Sequence, residues 1–123
     1  MTDSGSSPFS FAFVDVDGNG SAETLYVADD GATTHGIQKW IFDGTNWSLF
    51  ATFNQSTPLN FHGVAAYASG GTVTLITNTD EGSAANHVIV FTDPGGVTTL
   101  TGTVVNTAPA NTLYRGVALS PHL

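Results

Sequence analysis

The sequence predicts an all-β fold, and three observations carry that prediction. Thr, Val, Phe and Tyr are frequent, and Gly, Asn and Asp interrupt them at short intervals, the rhythm of short antiparallel strands joined by tight turns. No stretch sustains a helical period; Ser83–Asn86 comes nearest and is too short to stand as a helix. The chain also partly matches itself at a shift of 51 positions, so a multi-strand unit is written twice.

Nine strands follow in order: Ser10–Asp15, Thr24–Asp29, Gly36–Phe42, Trp47–Phe53, Phe61–Ala68, Val73–Thr79, His87–Thr92, Thr98–Val105 and Tyr114–Leu119. The turns between them have a mechanism. Asp43-Gly44, Gly70-Gly71 and Asp93-Pro94-Gly95-Gly96 supply residues that accept positive φ or preset it near −65°. The fourth strand, Trp47–Phe53, alternates as an outer strand with one wet face should.

In the repeat, Asp29 falls on Asp80, Gly31 on Gly82, Ile37 on Val88, Trp40 on Phe91, Leu49 on Leu100 and Thr52 on Thr103. Phe13-Val14 falls on Val64-Ala65. His62-Gly63-Val64-Ala65 then recurs as Arg115-Gly116-Val117-Ala118, a third copy of a first strand. Each first strand is small and apolar, as suits a crowded innermost position. A four-stranded unit repeating every ~40–50 residues is the signature of a β-propeller blade. The expected organisation is a flexible N-terminal segment (1–8), blade A (9–54), blade B (55–108) and a closing inner strand (109–123). The competing architecture is a nine-strand sandwich, which does not predict the repeat. Propellers close with about 4–8 blades. Two blades and a strand cannot close alone and would expose apolar flanks, so completion by self-assembly is expected, with a trimer giving about six blades. The alternative is a piece of a longer propeller.

The 123 residues suit one domain, and 41% apolar content suffices for a core. Ten acids face two bases, Lys39 and Arg115, for a formal charge of −8. Two bases cannot neutralise a phosphate backbone or hold an anionic membrane surface, so neither nucleic acid nor membrane is an expected partner. No apolar run approaches ~20 residues, and Met1–Pro8 lacks the basic and apolar regions of a signal peptide. Without Cys there is no disulfide, thiol nucleophile or thiolate metal site.

Several segments carry a resemblance: Ser7-Pro8-Phe9-Ser10-Phe11-Ala12-Phe13-Val14-Asp15, Thr24-Leu25-Tyr26-Val27-Ala28-Asp29-Asp30-Gly31, Gly36-Ile37-Gln38-Lys39-Trp40 and Tyr114-Arg115-Gly116-Val117-Ala118-Leu119-Ser120-Pro121. Across nearly the whole chain this resembles the C-terminal blades of a family of secreted or surface-attached bacterial propellers of uncharacterised function. The resemblance implies an extracellular or cell-surface parent protein, a structural or binding role, and earlier blades upstream of the Arg-Gly-Val-Ala-Leu segment. It supplies no catalytic residues.

Four sets of residues are candidates for chemistry. Asp15-Val16-Asp17-Gly18-Asn19-Gly20-Ser21-Ala22-Glu23 offers oxygens from Asp15, Asp17, Asn19 and Glu23 at positions 1, 3, 5 and 9 of a glycine-curled loop, the spacing Ca²⁺ requires. It is similar to the calcium loops of integrin-type propeller repeats; the competing reading is a metal-free hairpin, and Ala68-Ser69-Gly70-Gly71 fills the same turn without carboxylates. Asp29-Asp30 and Asp80-Glu81 occupy matching positions, which favours a repeated Asp-x-Gly turn over an acid–base pair. His35, His62, His87 and His122 show no short metal spacing, but His62 falls on Arg115, so both are candidates to line a channel or an interblade gap as ligand-binding residues. Trp40 aligns with Phe91, which favours packing, whereas Trp47 aligns with Thr98 and is a candidate glycan platform. No nucleophile elbow or phosphate loop is present, so an enzyme is not expected. The readings are therefore a self-assembling structural or binding module, a lectin-like propeller with glycan sites between blades, or a hydrolase at a channel mouth.

Overall fold

The computed structural model describes residues 5–55, 57, 59–82 and 85–120. Among them are eight strands and no helix. β1 (Pro8–Val14), β2 (Thr24–Asp29), β3 (Gly36–Phe42) and β4 (Trp47–Phe53) form one four-stranded antiparallel sheet in chain order. β5 (Asn60–Ser69), β6 (Thr72–Asp80), β7 (His87–Asp93) and β8 (Thr103–Thr107) form the second in the same way. Gly44, Gly70 and Gly71 sit at hairpin tips with φ of 97°, 58° and 80°, a backbone state open to glycine at little cost. At the β3–β4 turn, Asp43 Oδ1 accepts the Thr45 and Asn46 N–H groups, both at 2.8 Å.

Outside its irregularities, the strand register assigns side chains to faces. In the first sheet Ser10, Ala12 and Val14 pair with Ala28, Tyr26 and Thr24, and Ala28 pairs with Ile37, so these share one face. Phe11, Phe13, Leu25, Val27 and Trp40 share the other. In the second sheet Val64, Ala66, Leu75, Thr77, Ile89 and Phe91 lie together. The Ala28 face of the first sheet meets the Leu75 face of the second in a single core that joins Val14, Tyr26, Ile37 and Phe53 to Phe61, Val64, Leu75 and Phe91. Tyr26, Ile37, Phe61, Leu75 and Phe91 are fully buried, each contributing about 1.5–3 kcal/mol of hydrophobic free energy. β5 lies against β1, and the Val64 N–H donates to Ser10 Oγ at 2.9 Å.

One polar cluster crosses this interface. Asp93, fully buried, accepts the Tyr26 hydroxyl at 2.7 Å and pairs with Lys39 Nζ at 2.7 Å. Lys39 also donates to Gly95 O at 2.6 Å, and the Gly95 N–H returns to Asp93 Oδ1 at 2.8 Å. Burial raises the Tyr26 hydroxyl far above its ordinary pKa, and the Asp93 carboxylate adds to the effect, so the phenol remains a donor.

Three expectations are corrected. The eighth strand starts at Thr103, not Thr98. Residues 98–102 instead cross β7, where Leu100 packs on the core and a side chain at Gly102 would strike Ile89 and Phe91 at 2.6 and 2.8 Å. Tyr114–Leu119 is not a strand in this chain. Its backbone is held by amide side chains rather than by a ladder: Asn86 Oδ1 accepts the Tyr114 N–H at 2.8 Å, and the Asn86 and Asn78 Nδ2 groups donate to Tyr114 O at 2.8 and 3.1 Å. Residues 5–8, expected to be a free segment, are tied to β2: the Ser7 N–H donates to Asp29 Oδ1 at 2.9 Å and Asp30 N–H to Ser7 O at 3.1 Å. Ser83 and Ala84 of the Ser83–Asn86 stretch, His122 and residues 1–4 lie outside the described residues.

The repeat is present in the ladders, but its shift is not uniform. Ile37 and Val88 pair with Ala28 and Asn78, which pair in turn with Ser10 and Gly63. Ser10 and Gly63 are therefore equivalent, at the same spacing that separates His62 from Arg115 in the sequence. Phe11 thus corresponds to Val64, and Val64 to Val117. Ser10 Oγ bonds the Val64 backbone; in the second sheet Val117 Cγ2 lies 3.3 Å from where a Cβ on Gly63 would stand. The C-terminal segment lies on the second sheet where β5 lies on the first.

Candidate functional site

The equivalence makes the open face of the first sheet the counterpart of the covered face of the second. Phe11 stands where Val64 stands, yet Val64 is buried and Phe11 is 68% exposed. Phe9 and Phe13 are 55% and 54% exposed. Their face carries a cleft of about 620 Å³ lined by Phe9, Phe11, Phe13, Leu25, Val27 and Trp40. Trp47, expected to be free for a glycan, is half-buried beside it, its ring 5.6 Å from Phe13 and 5.2 Å from Phe42. The polar side chains of the cleft are already engaged. Ser6 Oγ donates to Asp29; Ser10 Oγ takes the Val64 N–H; Gln38 Nε2 donates to Asp29 Oδ2 at 2.7 Å while its Oε1 accepts the Trp40 indole at 2.9 Å.

The Asp15–Glu23 loop is organised by its own carboxylates. Asp15 Oδ1 accepts the Gly18 N–H at 2.7 Å and Oδ2 accepts that of Gly20 at 2.7 Å. The Gly20 N–H is the strongest cause holding the Asp15 carboxyl below its ordinary pKa. Glu23 Oε1 accepts the Val16 N–H at 2.8 Å, and Glu23 Oε2 is buried without a partner among the described residues. One oxygen from each of Asp15, Asp17 and Glu23 lies within 4.8 Å of the others. Asn19 is turned into the loop, donating to Asp17 Oδ2 at 2.9 Å and accepting the Ser21 N–H at 2.9 Å.

A third group unites three residues that the sequence offers only in separate sets: Asp30, His62 and Asp80. His62 sits in a β5 irregularity between Phe61 and Gly63, which lifts it out of the ladder. Its Nε2 lies 3.0 Å from Asp30 Oδ2 and 3.4 Å from Asp80 Oδ2. Phe9 stacks on the ring at 3.7 Å and 13°. The predicted Asp-x-Gly turns are present as well: Asp29 Oδ1 accepts the Gly31 N–H at 2.6 Å and Asp80 Oδ1 that of Gly82 at 3.0 Å. No signal in one sequence places Asp30 opposite Asp80, because that proximity arises from sheet packing. Arg115 is exposed and makes no ion pair with a described residue, so it does not join His62. His35 Nδ1 contacts Gly31 O and His87 pairs with Glu81, both local structural contacts. No helix is long and apolar enough to cross a membrane. Comparison with protein-family models, curated proteins and solved structures found no match for this chain.

Proposed function

We propose that the chain is a pair of propeller blades, a structural or binding module that associates head to tail with further copies into a closed ring. The carrying observation is the equivalence of faces. Within the chain, the Ala28 face of one sheet covers the Leu75 face of the next. The Phe11 face is the counterpart of that Leu75 face and stands open. Gly63, Ala65, Ile76 and Val88, on the far side of the second sheet, are the counterparts of the Ala28 face. A second copy can therefore repeat the contact already made internally, and a heterologous contact of this kind generates a ring where its rotation closes.

The magnitude fits. Three phenylalanines at these exposures leave roughly 350 Å² of aromatic surface, worth about 9 kcal/mol at ~25 cal/mol/Å², against an association cost of about 4–15 kcal/mol. A glycan is the poorer occupant, since sugar hydroxyls need free polar partners and Ser6, Ser10 and Gln38 are committed. Light scattering after gel filtration tests the reading. The expectation is a multiple of 12.7 kDa, about 38 kDa for a trimer, reduced to one chain by Phe11→Glu. A wild-type monomer at micromolar concentration refutes it.

A second reading concerns Ca²⁺ at the Asp15 loop, and Glu23 Oε2 favours it: a buried carboxylate oxygen without a donor fits a bound cation. Asp15, Asp17 and Glu23 would hold the ion, which would brace the β1–β2 loop. Calorimetry with Ca²⁺ should give a binding heat that Asp17→Ala removes; no heat in the wild type ends this reading.

A further inference from the structure

We infer that Asp30, His62 and Asp80 form a site for a first-row divalent cation of the Zn²⁺ type, clamping the two sheets together. The inference is independent of ring formation. Asp30 follows β2 of the first sheet, whereas His62 and Asp80 belong to β5 and β6 of the second. One ligand atom from each lies within 4.8 Å of the other two. Ligands about 2.0–2.1 Å from a tetrahedral ion stand roughly 3.3 Å from one another. The observed 3.0 and 3.4 Å from Nε2 to the two carboxylates bracket that spacing, so the ion enters with little movement of the ligands.

The surroundings hold the ligands for this purpose. Phe9 fixes the imidazole plane by stacking. Gly82 N–H occupies Asp80 Oδ1 and leaves Oδ2 facing the histidine. The three side chains are half-buried, which leaves a path for an ion and room for a water as fourth ligand. The charge balance points the same way. Two carboxylates converge on one imidazole, Lys39 is committed to Asp93, and Arg115 pairs with no described residue. A dication neutralises the pair of carboxylates more completely than a proton on Nε2 does. The nitrogen ligand selects the class: imidazole suits Zn²⁺ and its neighbours, whereas Ca²⁺ takes oxygen donors.

The test is a calorimetric titration of the whole chain with Zn²⁺ at neutral pH, paired with Co²⁺, whose visible absorption reports tetrahedral coordination. The wild type should bind one equivalent per chain, show the Co²⁺ bands, and melt at higher temperature with Zn²⁺ present. His62→Gln, which keeps a polar group beside the carboxylates, and Asp80→Asn should each abolish the one-equivalent step. Asp17→Asn and His87→Gln should retain it. Circular dichroism establishes that each variant is folded. Absence of a Zn²⁺ step in the wild type, or its persistence in folded His62→Gln, overturns the inference.

Discussion

Replacing Asp93 by Asn tests the joint between the sheets. The exchange keeps the size of the side chain and removes its charge. Lys39 then remains buried, its side chain 5% exposed, with only Gly95 O at 2.6 Å and the Phe50 ring at 5.1 Å for company. At 2.7 Å and an effective dielectric near 20, the lost attraction is about 6 kcal/mol before desolvation is subtracted. Breaking a buried pair by removing one partner costs about 3–5 kcal/mol. The Tyr26 hydroxyl retains an acceptor in the amide oxygen, so its bond adds little to the loss. Since a domain is stable by about 5–15 kcal/mol, the variant should forfeit a large part of its stability. Equilibrium urea unfolding at pH 7 and fixed chain concentration, followed by the fluorescence of Trp40 and Trp47, measures it. Lys39→Met should cost a similar amount, leaving Asp93 with Tyr26 and Gly95. The double variant should lose less than the two singles combined, because neither charge is then stranded. A single-variant loss below about 1 kcal/mol, or strict additivity, refutes the claim that these three side chains join the sheets.

Four further outcomes follow from the same geometry. Burial opposes the charge of Asp29, but bonds from Ser6, Ser7, Gly31 and Thr34 outweigh it and lower its pKa below 3.8; the unfolded chain then takes up the proton first, so this stability is full above about pH 5 and lost as pH falls through the native value, which acid titration of wild type against Asp29→Asn should show. Tyr26 moves the other way: its native pKa lies above the ordinary 10.0, so its contribution is complete below pH 10 and drains away as pH rises beyond it, and Tyr26→Phe should flatten that alkaline loss in urea midpoints. Gly63→Ala should destabilise by about 1–3 kcal/mol in thermal melts, because the new Cβ would overlap Asn78 Oδ1. Leu75→Ala, at a fully buried position between the sheets, should cost about 2–5 kcal/mol by the same measurement.

The parts of the molecule legible in the sequence are those fixed locally. Asp43-Gly44 and Gly70-Gly71 dictate hairpins whatever surrounds them, and seven strands lie where alternation and punctuation placed them. Asp15, Asp17 and Glu23 converge because nine residues of loop can curl only so far. The failures are long-range. Thr98–Val105 has strand composition, but Leu100 gains more by turning into the core than by extending the ladder. Tyr114–Leu119 has the wording of a first strand, yet a strand exists only beside a partner, and Asn86 satisfies its first backbone groups instead. The His62 cluster and the Asp93 joint each unite residues from both sheets, and pattern within one sheet carries no trace of either.

β1 shows why the repeat matters more than the pattern of any one strand. A half-buried strand places its larger apolar side chains inward and polar ones outward. β1 does the reverse: Ser10 and Ala12 face the covered side, while Phe11 and Phe13 face away, and Phe9, at the strand's irregularity, stacks on His62 of β5. The small residues have a cause on the inner side, where the Val64 backbone comes within 2.9 Å of Ser10 Oγ and leaves no room for an aromatic ring. Nothing on the inner side requires Phe11 or Phe13. Solvation disfavours them, and with Phe9 they form a contiguous apolar patch of the size that often marks a contact surface. Their counterparts on β5 include Val64, and there the same face is sealed by the preceding sheet. A strand with tight steric limits on one side and a large aromatic load on the other has the composition of a strand covered on both sides, and the ring proposed above would supply the second cover.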